Sequence, residues 1–135
     1  MLSAALLLAA ASLFAQAADG VSVMTDAPAY AVGAPIQVTL INAGSDRISR
    51  GGLACDDLWP LALEQLSSDG SWQPVDVARR QCIGVAAELV SPGDSQQRTI
   101  DLPLDVGTYH VLYAFDDVDN GTQDVSVSDP FDVAQ

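Results

Sequence analysis

Asp105-Val106-Gly107-Thr108-Tyr109-His110-Val111 is the stretch whose reading decides the fold. From Tyr109 onward, Tyr109, Val111, Tyr113 and Phe115 share one parity, which is the signature of a strand with one face buried. A Tyr at the start of such a strand, behind an Asp-x-Gly-x step, can send its hydroxyl back to the backbone a few residues upstream. Asp105, Gly107 and Tyr109 are therefore expected to form a structural corner that ties one inter-strand connection to the core.

Working outward, short alternating runs are separated by turn residues throughout the chain, the pattern of an all-β protein. Upstream, Val21–Thr25 reads as a strand ended by Asp26-Ala27-Pro28, and Tyr30–Pro35 reads as a turn. In Ile36–Asn42 the apolar Ile36, Val38 and Leu40 point one way and Gln37 and Thr39 the other. Ile48–Asp57 and Ala78–Ala87 read as irregular. Leu58–Leu66 and Ser71–Val77 read as a hairpin around Ser67-Ser68-Asp69-Gly70, with Trp59 in the core row of Leu61 and Leu63 and Trp72 at least partly packed. Ser91-Pro92-Gly93-Asp94 is a turn before the strand Gln96–Leu102. Downstream, Asp116–Gln123 reads as an acidic loop. Val125–Val133 reads as a terminal strand whose Asp129-Pro130 suits a sheet edge or bulge.

The ordered features resemble the bacterial immunoglobulin-like domain of small exported proteins. They are Tyr30-x-Val32-Gly33, Leu40-x-Asn42, Cys55, Gly70-Ser71-Trp72, Cys82, Ser91-Pro92-Gly93, Gly107-Thr108-Tyr109 and Ser128-Asp129-Pro130-Phe131-x-Val133. The resemblance spans nearly all of the chain after residue 17. It implies an immunoglobulin-like antiparallel β-sandwich of about seven to nine strands and an exported setting, and it carries over no catalytic residue. The same outline is similar to a bacterial family of intracellular proteinase inhibitors, from which an export leader and paired cysteines depart.

Leu2–Ala11 is an apolar run interrupted only by Ser3, and Ala15-Gln16-Ala17 follows with small residues at both positions of an A-x-A cleavage site. The expectation is a signal peptide over 1–17 and a single domain over 18–135, exported to the periplasm or beyond. The run falls short of the about 20 residues of a membrane span. The net charge of −13 argues against nucleic acid and anionic membranes as partners. In an exported chain the two cysteines, Cys55 and Cys82, read as a disulfide, placed by the hairpin reading at its open end.

Catalytic chemistry finds little purchase. A Ser-His-Asp arrangement has to use His110, whose parity puts it on the outer face of its strand as a surface residue, and no G-x-S-x-G or phosphate-binding loop is present. With one histidine and two cysteines, no zinc set can be assembled. Asp116, Asp117, Asp119, Asn120 and Asp124 offer oxygen ligands that suit calcium, but their spacing misses the EF-hand template. Arg79 and Arg80 beside Cys82, together with Trp72, are candidate partner contacts.

The expected function is a non-catalytic binding or accessory module that acts through loops or an edge strand, without a cofactor, on another exported or cell-envelope protein. Two alternatives follow from particular residues. One is a secreted protease inhibitor that presents the loop 78–85. The other is a calcium-dependent adhesion or carbohydrate-binding module built on the acidic loop.

Overall fold

The computed structural model describes residues 15–53, 58–77 and 85–135. Among them are eleven strands in two sheets and no helix; no helix is long and apolar enough to cross a membrane. The strands are β1 (Val21–Thr25), β2 (Ala29–Ala31), β3 (Ile36–Asn42), β4 (Ile48–Leu53), β5 (Ala62–Leu66), β6 (Trp72–Pro74), β7 (Val85–Val90), β8 (Ser95–Ile100), β9 (Gly107–Asp117), β10 (Thr122–Val127) and β11 (Phe131–Ala134). The smaller sheet runs β1-β3-β8. The larger follows β2-β11-β9-β4-β7, with β10 and β5 also pairing with β9 and β6 with β5.

The two longest strands, β3 and β9, form where apolar residues recur at every second position. In β3, Ile36, Val38 and Leu40 are buried. In β9, Tyr109, Val111, Tyr113 and Phe115 are buried, so these two rows face each other across the core. Val21 and Val23 from β1, Ile100 from β8, and Phe131 and Val133 from β11 complete the apolar layer.

Several sequence expectations are corrected. Ile48–Leu53 is a strand despite Gly51-Gly52, because pairing runs from Ile48↔Val90 to Leu53↔Val85. Its partner β7 occupies part of the other stretch read as irregular. The first strand of the hairpin begins at Ala62, since Leu58–Leu61 makes a turn closed by Leu61 N–H to Leu58 O at 2.7 Å. Tyr30 and Ala31, the first residues of the stretch read as a turn, pair in parallel with β11 together with Ala29. The turn itself falls in the rest of that stretch, closed by Ala34 N–H to Ala31 O at 3.0 Å.

The acidic loop is shorter than expected. β9 continues through Asp117, and the turn is closed by Gly121 N–H to Asp117 O at 2.8 Å, with Gly121 at φ +69°. The terminal strand is two strands, broken at Ser128–Pro130, and β11 is interior to its sheet, between β2 and β9. Ser128 bridges the break: its hydroxyl accepts Val111 N–H at 2.9 Å and donates to Asp129 O at 2.9 Å.

Asn42, the last residue of β3, is fully buried and joins the sheets. Its amide donates to Val90 O at 3.1 Å and to Asp46 O at 2.9 Å, and its carbonyl oxygen accepts Gly44 N–H at 3.1 Å. A buried amide satisfied on both ends locks position rather than destabilising.

Candidate functional site

The corner residues come first. Tyr109 is buried and its hydroxyl donates to Asp105 O at 2.7 Å. Burial, and then the Asp105 carboxylate, raise the phenol above its usual range. The ring stacks on Phe131 with centroids 5.9 Å apart. A Cβ at Gly107 would sit 2.6 Å from Gln65 Nε2, the movable end of a side chain, and at ordinary contact distance, 3.5 Å, from the Tyr109 ring. A cleft of about 420 Å³ lies elsewhere, where β4 leaves β9 after Ser49↔Asp116; Arg50, Gly51, Phe115, Asp116 and Val125 are among the residues lining it.

Of the five oxygen-bearing residues singled out in the acidic loop, the structure gathers three. Asp117 accepts the N–H groups of Asp119 and Asn120, both at 3.0 Å, and Asn120 Nδ2 at 3.2 Å. Asp116 is exposed, and Asp124 accepts the N–H of Val125 at 2.9 Å. Asp46, which sequence reasoning did not single out, joins Asp117 and Asp119 in a carboxylate trio whose ligand atoms lie within 4.8 Å of one another. Only the pairing of β4 with the end of β9 brings Asp46 there, and no local sequence signal announces it.

The trio already has partners. Arg47 donates to Asp119 through Nη2 at 2.8 Å and through its backbone N–H at 2.8 Å, and Asn120 donates to Asp46 at 2.7 Å. Arg47 holds the Asp119 carboxyl below its usual range. Asp46 is raised, chiefly by its hydrogen bond to Asp117. Burial alone would raise Asp117, but the hydrogen bonds it accepts from Asn120, Asp46 and Asp119 outweigh that and lower it. The arrangement ties the turn before β4 to the turn after β9.

His110 corrects the sequence reading: it is 4% exposed. It does lie on the outer face of β9, but β5 and β6 cover it. Its Nε2 is 2.7 Å from Glu64 Oε1, across the registered pair Glu64↔His110, so Nε2 carries the proton. Trp72 stacks on its ring, with centroids 3.6 Å apart and planes at 15°. Among the described residues no hydroxyl or thiol hydrogen-bonds to His110.

A second polar group lies between the sheets. Glu88 of β7 and Arg98 of β8 form an ion pair, and Arg98 also donates to Gln96 at 2.9 Å. Arg50 faces Glu88 across β4 and β7. Tyr113 is fully buried, and among the described residues its hydroxyl has no hydrogen-bond partner. Burial, then the Glu88 carboxylate, push that phenol up to about 12, against the opposing pull of Arg50 and Arg98.

Trp72 is half-buried and serves His110. Cys55, Cys82, Arg79 and Arg80, and with them the 78–85 loop up to Val85, lie outside the described residues. At the other limit of the large sheet, β7 pairs with β4 on one side, and among the described residues no strand pairs with its other side. Its Leu89 is 56% exposed.

No family model matches the sequence, and no curated protein matches it significantly. Among solved structures, the chain is similar to the sporulation control protein Spo0M from Bacillus subtilis, at 20% identity with a TM-score of 0.48 over 89% of this chain and 51% of that one. It is also similar to Pseudomonas fluorescens alkylpurine DNA glycosylase AlkC, bound to DNA containing an abasic site analog, at 13% identity with a TM-score of 0.41 over 86% and 31%. The chain thus spans about half the length of the first and a third of the second. Similarity this distant assigns no activity.

Proposed function

We propose that the chain is an exported, non-catalytic immunoglobulin-like binding module that takes up an extended segment of another exported or cell-envelope protein along β7. The observation that carries this reading is the β7 edge. Val85-Ala86-Ala87-Glu88-Leu89-Val90 has a single charged residue, and that residue is engaged by Arg98 between the sheets. Edge strands of soluble proteins are usually guarded by outward charges, proline or bulges. Here the outward row carries a half-exposed Leu89 instead. Unpaired backbone groups would give affinity and the alternate side chains would give selectivity. The net charge of −13 favours a partner segment that is apolar and basic.

The immunoglobulin-like assignment draws support from β2 lying parallel to β11 beside β9, and from the Tyr109-to-Asp105 bond at the start of β9. The export assignment rests on the leader and the Ala15-Gln16-Ala17 step.

The test is capture from the exported fraction with the immobilised mature protein, in parallel with a Leu89→Lys variant of unchanged melting temperature. The expected result is a protein retained by the first and lost at least about tenfold by the second, with retention weakening as salt rises. Equal retention by both proteins would overturn the β7 reading.

A further inference from the structure

We propose that Val21 C=O and Ser126 Oγ form a seat for the α-ammonium group that cleavage after Ala17 creates at Ala18. The inference rests on the export reading above. In the uncleaved chain, the single Ala18 N–H is already directed at both acceptors, 3.1 Å from Val21 O and 3.3 Å from Ser126 Oγ. Ser126 and Val21 are both fully buried, and the Ser126 hydroxyl donates to Val21 O at 2.6 Å, which fixes the acceptor pair. Val21 N–H returns a bond to Ala18 O at 2.7 Å, so Ala18 is held from both ends.

The residues before the cleavage point are held differently. Gln16 exchanges two backbone bonds with Val127, both 2.9 Å, and Ala15 N–H donates to the Asp129 carboxylate at 3.0 Å. Hydrolysis breaks the Ala17–Ala18 C–N bond. Water supplies a hydroxyl to the Ala17 carbonyl, which leaves as a carboxylate, and a proton to the Ala18 nitrogen, which becomes an ammonium at neutral pH. Departure of the leader frees Val127 O and the Asp129 carboxylate. One neutral donor at Ala18 becomes three charged ones, in front of two buried acceptors. Charge-assisted bonds of this kind are about twice as strong as neutral ones.

Asp19 beside Ala18, Asp129 after β10 and Asp124 on the Ser126 face of β10 are acidic, and the segment after β3 that bonds to Gly20 through Ala43 N–H carries Asp46 and Arg47, the latter paired with Asp119. β1 contributes no charged side chain. The seat is thus positioned to favour a cation and to hold its proton to higher pH than the about 7.7–8.0 of a free α-amine.

The sequence makes the test unusually clean, because the chain has no lysine and the α-amine is therefore the sole primary amine. Acylation by an N-hydroxysuccinimide ester at pH 7.5 would be followed by mass for mature protein that begins at Ala18 and for the same chain with Ala17 retained. The expected result is acylation at least about tenfold slower for the Ala18 start, and a Ser126→Ala variant accelerated toward the rate of the Ala17 start. Equal rates for the two starts, or equal slowing of both, would overturn the seat. The N-terminus of the naturally exported protein is read separately by mass. A different terminus there would count against the export reading and leave the measurement on the two defined starts intact.

Discussion

The Trp72 indole lies flat on the His110 imidazole, 3.6 Å between centroids, and seals from solvent the only histidine of the chain. The pair depends on a short strand: β6 has three residues and among the described residues pairs only with β5. Glu64 Oε1 accepts the hydrogen bond of His110 Nε2 from the side, so ring orientation is fixed by one hydrogen bond and one stack. Trp72→Ala is expected to lower stability by about 2 kcal/mol, from lost apolar burial and the lost ring pair. It should also make His110 reactive toward diethylpyrocarbonate, whereas Trp72→Phe should keep most of the protection. Unchanged reactivity in Trp72→Ala would show that other groups shield the ring.

Two tyrosines on the same face of β9 should respond oppositely to loss of the hydroxyl. Tyr109 donates to Asp105 O, so Tyr109→Phe strands a carbonyl and should cost about 1–1.5 kcal/mol. The Tyr113 hydroxyl is buried without a partner among the described residues, so Tyr113→Phe removes an unsatisfied polar group and should leave stability unchanged or raise it by up to about 1 kcal/mol. Urea unfolding of the two variants, with equal m-values, would measure the contrast.

Those two residues also mark how far the sequence was legible. The parity of Tyr109, Val111, Tyr113 and Phe115 follows from local alternation, and so does that of Ile36, Val38 and Leu40; these rows are the core. What local pattern cannot carry is pairing between distant segments. β4 contains Gly51-Gly52, which have low strand propensity, and it is a strand because β7 and the end of β9 supply its ladder. β2 is only three residues long and exists because β11 lies beside it. The outward parity of His110 was legible, but its cover was not, since Trp72 comes from a hairpin 38 positions away. Asp46 likewise meets Asp117 only through the β4–β9 register, so the acidic loop reads differently in space than along the chain.

The carboxylate trio sets a pH dependence with two opposing parts. Asp117 and Asp119 are lowered in the folded protein, so the stability they contribute is present above the ordinary carboxylate value and is lost as pH falls through their folded values. Asp46 is raised, so ionising it between its ordinary and its folded value works against the fold. Asp46→Asn should therefore raise the melting temperature at pH 7, since an amide can still accept from Asn120 and can donate to Asp117. The gain should vanish below the ordinary carboxylate pKa of about 3.9, where Asp46 is protonated anyway. Asp119→Asn should lower the melting temperature at pH 7 by weakening the Arg47 pair. Melting curves from pH 3 to pH 8 would test all three; a gain from Asp46→Asn that persists at pH 3 would exclude charge as its cause.

The ladder between β4 and β7 ends at Leu53↔Val85. Cys55 stands two positions beyond Leu53 in sequence, and Cys82 three positions before Val85. Antiparallel strands bring together residues whose numbers sum to a constant. That sum is 138 along this ladder and 137 for Cys55 and Cys82 in the sequence, so a disulfide between them is expected beyond the Leu53↔Val85 end. This gives the proposed Cys55–Cys82 disulfide a different anchor from the β5–β6 hairpin, because it would clamp the end of the β7 edge proposed as the binding strand. Closing the intervening loop should remove about 3–4 kcal/mol of unfolded-state entropy on the chain-entropy model. Protein from the exported fraction should take up no alkylating agent before reduction and two equivalents after. The reduced protein should unfold at lower urea, and partner retention on β7 should fall with it. Alkylation of two thiols without reduction would remove the clamp, while retention that survives reduction would show that β7 keeps its edge without it.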